Sequence, residues 1–169
     1  MPPSWRAIAA APDRIRGGSA AFSALALVLA LAGCGARGPG PEAAAPLRQD
    51  GAPVAAQVDA DAARLQGDWV VVAGAGVPQG AAVRFLPGAV EIAGTRHPLV
   101  ETGPGRFSAG GRALWVHWLD ADARTAALGD PEGGWVFVID RTGAPGERLA
   151  AARTILDWYG YDPRATGGA

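Results

Sequence analysis

Lysine is absent from this 169-residue chain, cysteine occurs once and histidine twice. A single thiol excludes a disulfide framework within the chain and any thiolate cluster for a metal. The two histidines, His97 and His117, lie far apart with no cysteine beside either, so no metal-ligand spacing is present. Fifteen arginines stand against sixteen acids, a net charge of −1 without a clustered basic stretch, which excludes a phosphate-backbone partner. An all-arginine basic set, alongside heavy use of Ala and Gly, follows from coding bias more than from function. The chain also lacks an apolar run long enough to span a bilayer. Its longest, within residues 20–34, holds roughly 13 residues where a crossing helix needs about 20.

That short run is nevertheless the most informative segment. It follows Arg6, Arg14 and Arg16 with one acid, Asp13, and it closes on Leu31-Ala32-Gly33-Cys34, which holds the only cysteine. A basic start, a short apolar middle and small residues before a cysteine form the pattern of a bacterial lipoprotein signal peptide. Residues 1–33 are then removed and Cys34 becomes the acylated first residue, a membrane attachment that lasts once two or more chains are present. The expected address is the cell envelope. Resemblance to the lipoproteins of enteric bacteria, in which an Asp after the cysteine favours inner-membrane retention, implies from Gly35 an outer-membrane address facing the periplasm. The mature chain keeps 12 arginines and 15 acids, for a net charge near −3.

Residues 34–57 are rich in Ala, Pro and Gly and show no sustained apolar period, which predicts a tether of roughly 25 to 30 Å. Residues 58–164 form one small domain with a single core, and 165–169 a disordered tail. From Gly67 onward, eight short apolar runs alternate with turn residues: 68–73, 81–86, 90–93, 97–101, 106–109, 113–119, 125–128 and 135–140. Spacing of this kind belongs to all-β sandwiches and barrels, and the short connections favour an up-and-down antiparallel meander. The last run is apolar on both faces, so it should be covered on both. A covering helix is available over 145–159, with Pro145 in the first turn, Glu147 suited to the positive end of the dipole, and Leu149, Ala152, Ile155, Leu156 and Tyr159 on one face. The expected fold is an eight-stranded up-and-down antiparallel barrel with a C-terminal helix packed outside.

Several segments resemble the lipocalin family, in particular the lipoprotein lipocalins of bacterial outer membranes. Gly67-Asp68-Trp69, after a short helical turn, is similar to the family's first motif. The hairpin from Trp118 through Asp120 to Ala127 resembles the second, and the strand from Trp135 to Arg141 the third. The helix closing on Gly160-Tyr161-Asp162 also resembles bacterial members. The resemblance implies a barrel closed at one end with Arg141 stacked over Trp69, and structural roles for Gly67, Trp69, Asp120 and Arg141. It also implies a small hydrophobic ligand such as a fatty acid or lysophospholipid. The chain departs from the family in its short, glycine-rich middle strands, in Val70 where a Tyr is usual and in Ala123 where an aromatic is usual.

No catalytic constellation is present, since neither histidine has a nucleophile in sequence context, and no cofactor or metal is expected. Gly74, Gly76 and Gly80 have the wrong spacing for a dinucleotide loop and no helix follows. Asp120, Asp122 and Arg124 suit a hydrogen-bonded turn. Alternation places Ala113, Trp115, His117 and Leu119 on one strand face and Leu114, Val116 and Trp118 on the other. Trp115, His117, Trp135 and Phe137 are the expected pocket residues. Two functions lead, a lipid-anchored carrier of a small hydrophobic ligand, or a filled barrel without a ligand, serving as an envelope interaction or assembly module; a third is an enzyme whose site the sequence does not betray. The first requires an apolar cavity of several hundred Å³; the second requires a filled interior.

Overall fold

A computed structural model describes residues 46–167; the segment 1–33 read as a signal peptide, Cys34, residues 35–45 of the expected tether and residues 168–169 of the expected tail lie outside the described residues. Eight strands form in chain order: β1 (Gly67–Ala75), β2 (Ala82–Leu86), β3 (Ala89–Ile92), β4 (Thr95–Gly103), β5 (Arg106–Ala109), β6 (Arg112–Leu119), β7 (Thr125–Gly129) and β8 (Val136–Asp140). Each pairs antiparallel with its sequence neighbour, and β1 also pairs with β8, which closes the barrel without a free edge. Every apolar run identified in the sequence is a strand or the greater part of one. A four-residue helix, α1 (Ala62–Leu65), precedes the barrel, and α2 (Glu147–Trp158) lies against it, in contact with β6 and β7.

Two hydrophobic layers follow from strand alternation. Trp135, Phe137 and Ile139 point inward, where they meet Trp69, Val71, Phe85, Phe107 and Leu128, whereas Val136 and Val138 point outward beneath Ala152 and Leu156 of α2. Eight strands leave an interior about wide enough for side chains to fill, and here they fill most of it. Burial of both faces of β8 explains its unbroken apolar sequence.

The ends of the barrel differ. One is closed by α1 and Gln66, over which the β6–β7 turn and Arg141 fold. The Arg141 guanidinium lies 3.7 Å from the Trp69 ring centre and donates to the carbonyls of Gln66 (2.7 Å), Arg64 (3.1 Å) and Ala123 (3.2 Å). Trp69 Nε1 donates to the Leu65 carbonyl at 2.7 Å. Gly67 is required here, because its φ is +100° and a Cβ would come within 2.9 Å of the Arg141 guanidinium. The other end, the mouth, is ringed by the β1–β2, β3–β4, β5–β6 and β7–β8 connections.

The structure differs from the sequence expectation at both ends of the domain. Residues 46–57, assigned by composition to the tether, are bonded along the barrel wall as a strap. Leu47 N–H donates to the Gly133 carbonyl at the mouth, Gln49 N–H to Gly160, and Gln57 N–H to Val116 further down. Arg48 donates to the carbonyls of Tyr159, Pro131 and Ala52. Near the closed end the Gln57 side chain accepts from Leu119 N–H and donates to the Leu119 carbonyl. At the C-terminus, residues 165–167 are ordered. Asp162 caps a 3₁₀ turn (Pro163–Thr166), Thr166 is buried, and its carbonyl accepts from Arg153.

Candidate functional site

The mouth holds a small cavity of about 100 Å³, lined by Val77, Ile92, His97, Ala109, Arg112, Trp135 and Phe137 with Gly76 at the rim. Its floor is Phe137, on which the Trp135 ring stacks with centroids 4.9 Å apart and planes 20° from parallel. Trp135 is 4% exposed, yet its indole Nε1 has no acceptor among the described residues. A buried N–H without a partner costs roughly 1–3 kcal/mol, so it marks a position where an acceptor would be welcome. The Arg112 guanidinium lies 5.7 Å from the Trp135 ring centre and forms no ion pair among the described residues. His97 enters the same rim from β4. The site therefore combines an apolar floor with nitrogen donors and a free positive charge.

Of the four expected pocket residues, the structure brings together Trp135 and Phe137 and separates the other two. Trp115 and His117 point away from the interior. Leu114, Val116 and Leu119 are the β6 residues that point inward, because a bulge lies between Val116 and Trp118 and resets the alternation. A strictly alternating reading places Leu119 with His117, whereas the bulge returns Leu119 to the core and leaves Trp118 outside, near α2. The Arg106 guanidinium covers Trp115 on the outer wall, 4.4 Å from its ring centre.

His117 sits under the strap rather than in a pocket. Its Nδ1 is 2.8 Å from the Ala55 carbonyl and its Nε2 is 2.8 Å from the Tyr161 hydroxyl, which is also 2.8 Å from the Asp130 carbonyl. A carbonyl only accepts, so Nδ1 carries a proton. Burial pushes His117 down to about 4, with Arg48 adding to the effect and the Ala55 carbonyl opposing it. Burial likewise raises the Tyr161 phenol. His117 thus ties together the strap, the C-terminal segment and the β7–β8 loop.

Asp120 and Asp140 are structural anchors near the closed end. Asp120 Oδ1 accepts from the N–H groups of Arg124 and Thr125, as its turn position predicts. Asp140 is buried and accepts from the Thr125 hydroxyl, from both the N–H and hydroxyl of Thr142, and from Ala144 N–H. Arg148 approaches both carboxylates, at 3.9 and 3.7 Å. Sequence reasoning identified neither Arg112 nor the unpartnered Trp135 nitrogen, because a lone arginine after a glycine turn carries no distinguishing pattern. Among the described residues no group of three His, Cys, Asp or Glu side chains gathers to hold a metal, and no helix is long and apolar enough to cross a membrane.

No protein-family model and no curated protein matches the chain.

Proposed function

We propose that this chain is a lipid-anchored envelope protein whose barrel mouth binds a small molecule with an apolar body and one hydrogen-bond-accepting or anionic group, for carriage or scavenging. The unpartnered Trp135 Nε1 at an apolar cavity, with Arg112 beside it, carries the reading. The lipoprotein-type segment ending at Cys34 and the resemblance to lipocalins support it. Size narrows the ligand. Drug-sized ligands occupy about 300–1,000 Å³, and an apolar hole of roughly 150 Å³ accepts benzene. A cavity of about 100 Å³, smaller than that hole but open at the mouth, suits the inner part of a single ring or the end of an acyl chain. A fatty acid or lysophospholipid would seat only its last few carbons unless the interior rearranged.

The filled interior favours a second reading, in which the barrel is a rigid module for protein contacts in the envelope and the mouth stays empty. Calorimetric titration of a chain beginning at Gly35, which lacks the anchor's own acyl chains, separates the two. Benzoate and hexanoate are the small probes, palmitate and lysophosphatidylcholine the large ones. Carriage predicts saturable binding of a small probe, weakened at least about tenfold by Arg112→Gln. Failure of all four probes, with no ligand co-purifying in native mass spectrometry, would leave the interaction module.

A further inference from the structure

We propose that the mouth end of the barrel is the surface this protein lays against the bilayer, with Trp158 seated in the headgroup layer; this rests on the reading of Cys34 as the acylated residue.

The path of the strap gives the first reason. In a barrel preceded directly by α1, an upstream anchor would leave from the closed end. Here the chain is fixed to the wall from the closed end, at Gln57, back up to the mouth, where Leu47 bonds Gly133 and Arg48 reaches Pro131. Only residues 35–45, eleven in number, separate Cys34 from Pro46. Even fully extended, they let Cys34 lie no more than about 40 Å from Pro46, and a Gly-rich coil of that length averages about 20 Å. The eight residues of β6 run about 26 Å and, at a barrel strand's tilt of about 40°, make a wall about 20 Å high. Presenting the closed end to the membrane would therefore need those residues to run back down the whole wall before reaching the lipid. Presenting the mouth needs no such detour.

Trp158 gives the second, independent reason. α2 begins near the closed end, where Arg148 donates to Thr125, and runs toward the mouth. At its far end Tyr159 is tied to the strap through its carbonyl, and two residues on the Tyr161 hydroxyl meets Asp130 of the β7–β8 loop. Trp158 is 69% exposed, more than any other aromatic among the described residues, and its ring stacks flat on Tyr159, 3° from parallel. Indole rings favour the membrane interface, where the ring is buried and its N–H remains wet. Arg164 is exposed beside Pro46, whereas Glu132 is an exposed acid on the β7–β8 loop. The aromatic ring, not net charge, defines this surface.

The consequence is that the cavity opens toward lipid, so an amphipathic ligand would enter from the membrane surface. The test uses the full acylated protein in vesicles of phosphatidylethanolamine and phosphatidylglycerol. Because acylation consumes Cys34, a fluorophore attached through Glu132→Cys at the mouth or Asp122→Cys at the closed end labels one site. Quenching by a lipid with a nitroxide on its headgroup should be at least threefold stronger for the Glu132 probe, and Trp158→Ala should reduce that difference at least twofold. Equal or reversed quenching in a membrane-attached protein overturns the orientation and leaves the envelope role standing, and an unchanged difference in Trp158→Ala overturns the part assigned to that ring. A chain that bears no acyl groups by mass and does not sediment with vesicles overturns both.

Discussion

The Arg141 guanidinium lies over the Trp69 indole at 3.7 Å and at the same time donates to three main-chain carbonyls, those of Arg64 and Gln66 in the α1 turn and of Ala123 in the β6–β7 hairpin. One side chain thus joins the end of β8, the start of β1, the α1 turn and the β6–β7 hairpin. Its fork geometry matters as much as its charge, because a lysine presents a point charge and cannot serve these carbonyls together.

Arg141→Met should lower unfolding free energy by about 2–4 kcal/mol, from the lost stacking and charge-assisted hydrogen bonds. Arg141→Lys should recover less than half of it. Urea unfolding followed by circular dichroism checks both, with an unchanged m-value showing that the effect is on stability alone.

Stability should fall on mild acidification because of His117. Folded, it is held at about 4 by burial; unfolded, it titrates near 6.5. Between those values the unfolded chain binds the extra proton, so the stabilisation is complete above about pH 6.5 and is lost toward pH 4, a change of about 3 kcal/mol. Urea midpoints at pH 7.5, 5.5 and 4.5 measure it, and the slope should flatten in His117→Gln.

A second decline should follow in stronger acid. Burial opposes ionisation of Asp140, but hydrogen bonds from Thr125, Thr142 and Ala144 outweigh it and hold the carboxyl at about 2, below its ordinary 3.8. The folded-state pKa is depressed, so this contribution is present above about pH 3.8 and disappears as pH falls through 2. Asp140→Asn should cost about 2–3 kcal/mol at pH 7, by leaving donors without a full set of acceptors.

Loosening the strap should be visible without unfolding the barrel. Gly160 has φ +82° and a Cβ there would meet the Ala52 Cβ at 2.5 Å, so Gly160→Ala should cost about 1–3 kcal/mol. Hydrogen exchange in residues 46–57 should accelerate at least tenfold, while amides of β7 and β8 stay protected.

Filling the mouth should abolish small-ligand binding and spare the fold. Ala109 lines the cavity, and Ala109→Leu places its new carbons there with a stability change of less than about 1.5 kcal/mol. Titration with benzoate or hexanoate, beside a thermal melt of the same variant, checks both halves.

Much of the barrel was legible because its information is local. Turn residues punctuate each strand, alternation assigns Trp135, Phe137 and Ile139 to one face, and the double apolar face of β8 announces a covering helix. The bulge at His117 was not legible. An extra residue in one strand of a pair costs little locally and leaves no compositional mark, yet it exchanges the faces of every later side chain in β6. It therefore places Leu119 inside and Trp118 outside, whereas Trp115 and His117 lie outside because Leu114 and Val116 face the core, a choice between two apolar faces that alternation alone leaves open.

The eight-stranded, helix-covered barrel is written in the order of apolar runs and turns, since each depends on neighbours a few positions away. Where the strap lies, which end is open and how much of the interior is empty depend on contacts across the whole domain. The strap has no apolar period because it is held largely through main-chain groups, as at Leu47 to Gly133 and Gln57 to Val116, and every residue type except proline can donate such bonds. Cavity size is the small difference between the barrel's volume and the side chains filling it. Only packing in three dimensions leaves about 100 Å³ at the mouth beside an indole nitrogen with no partner.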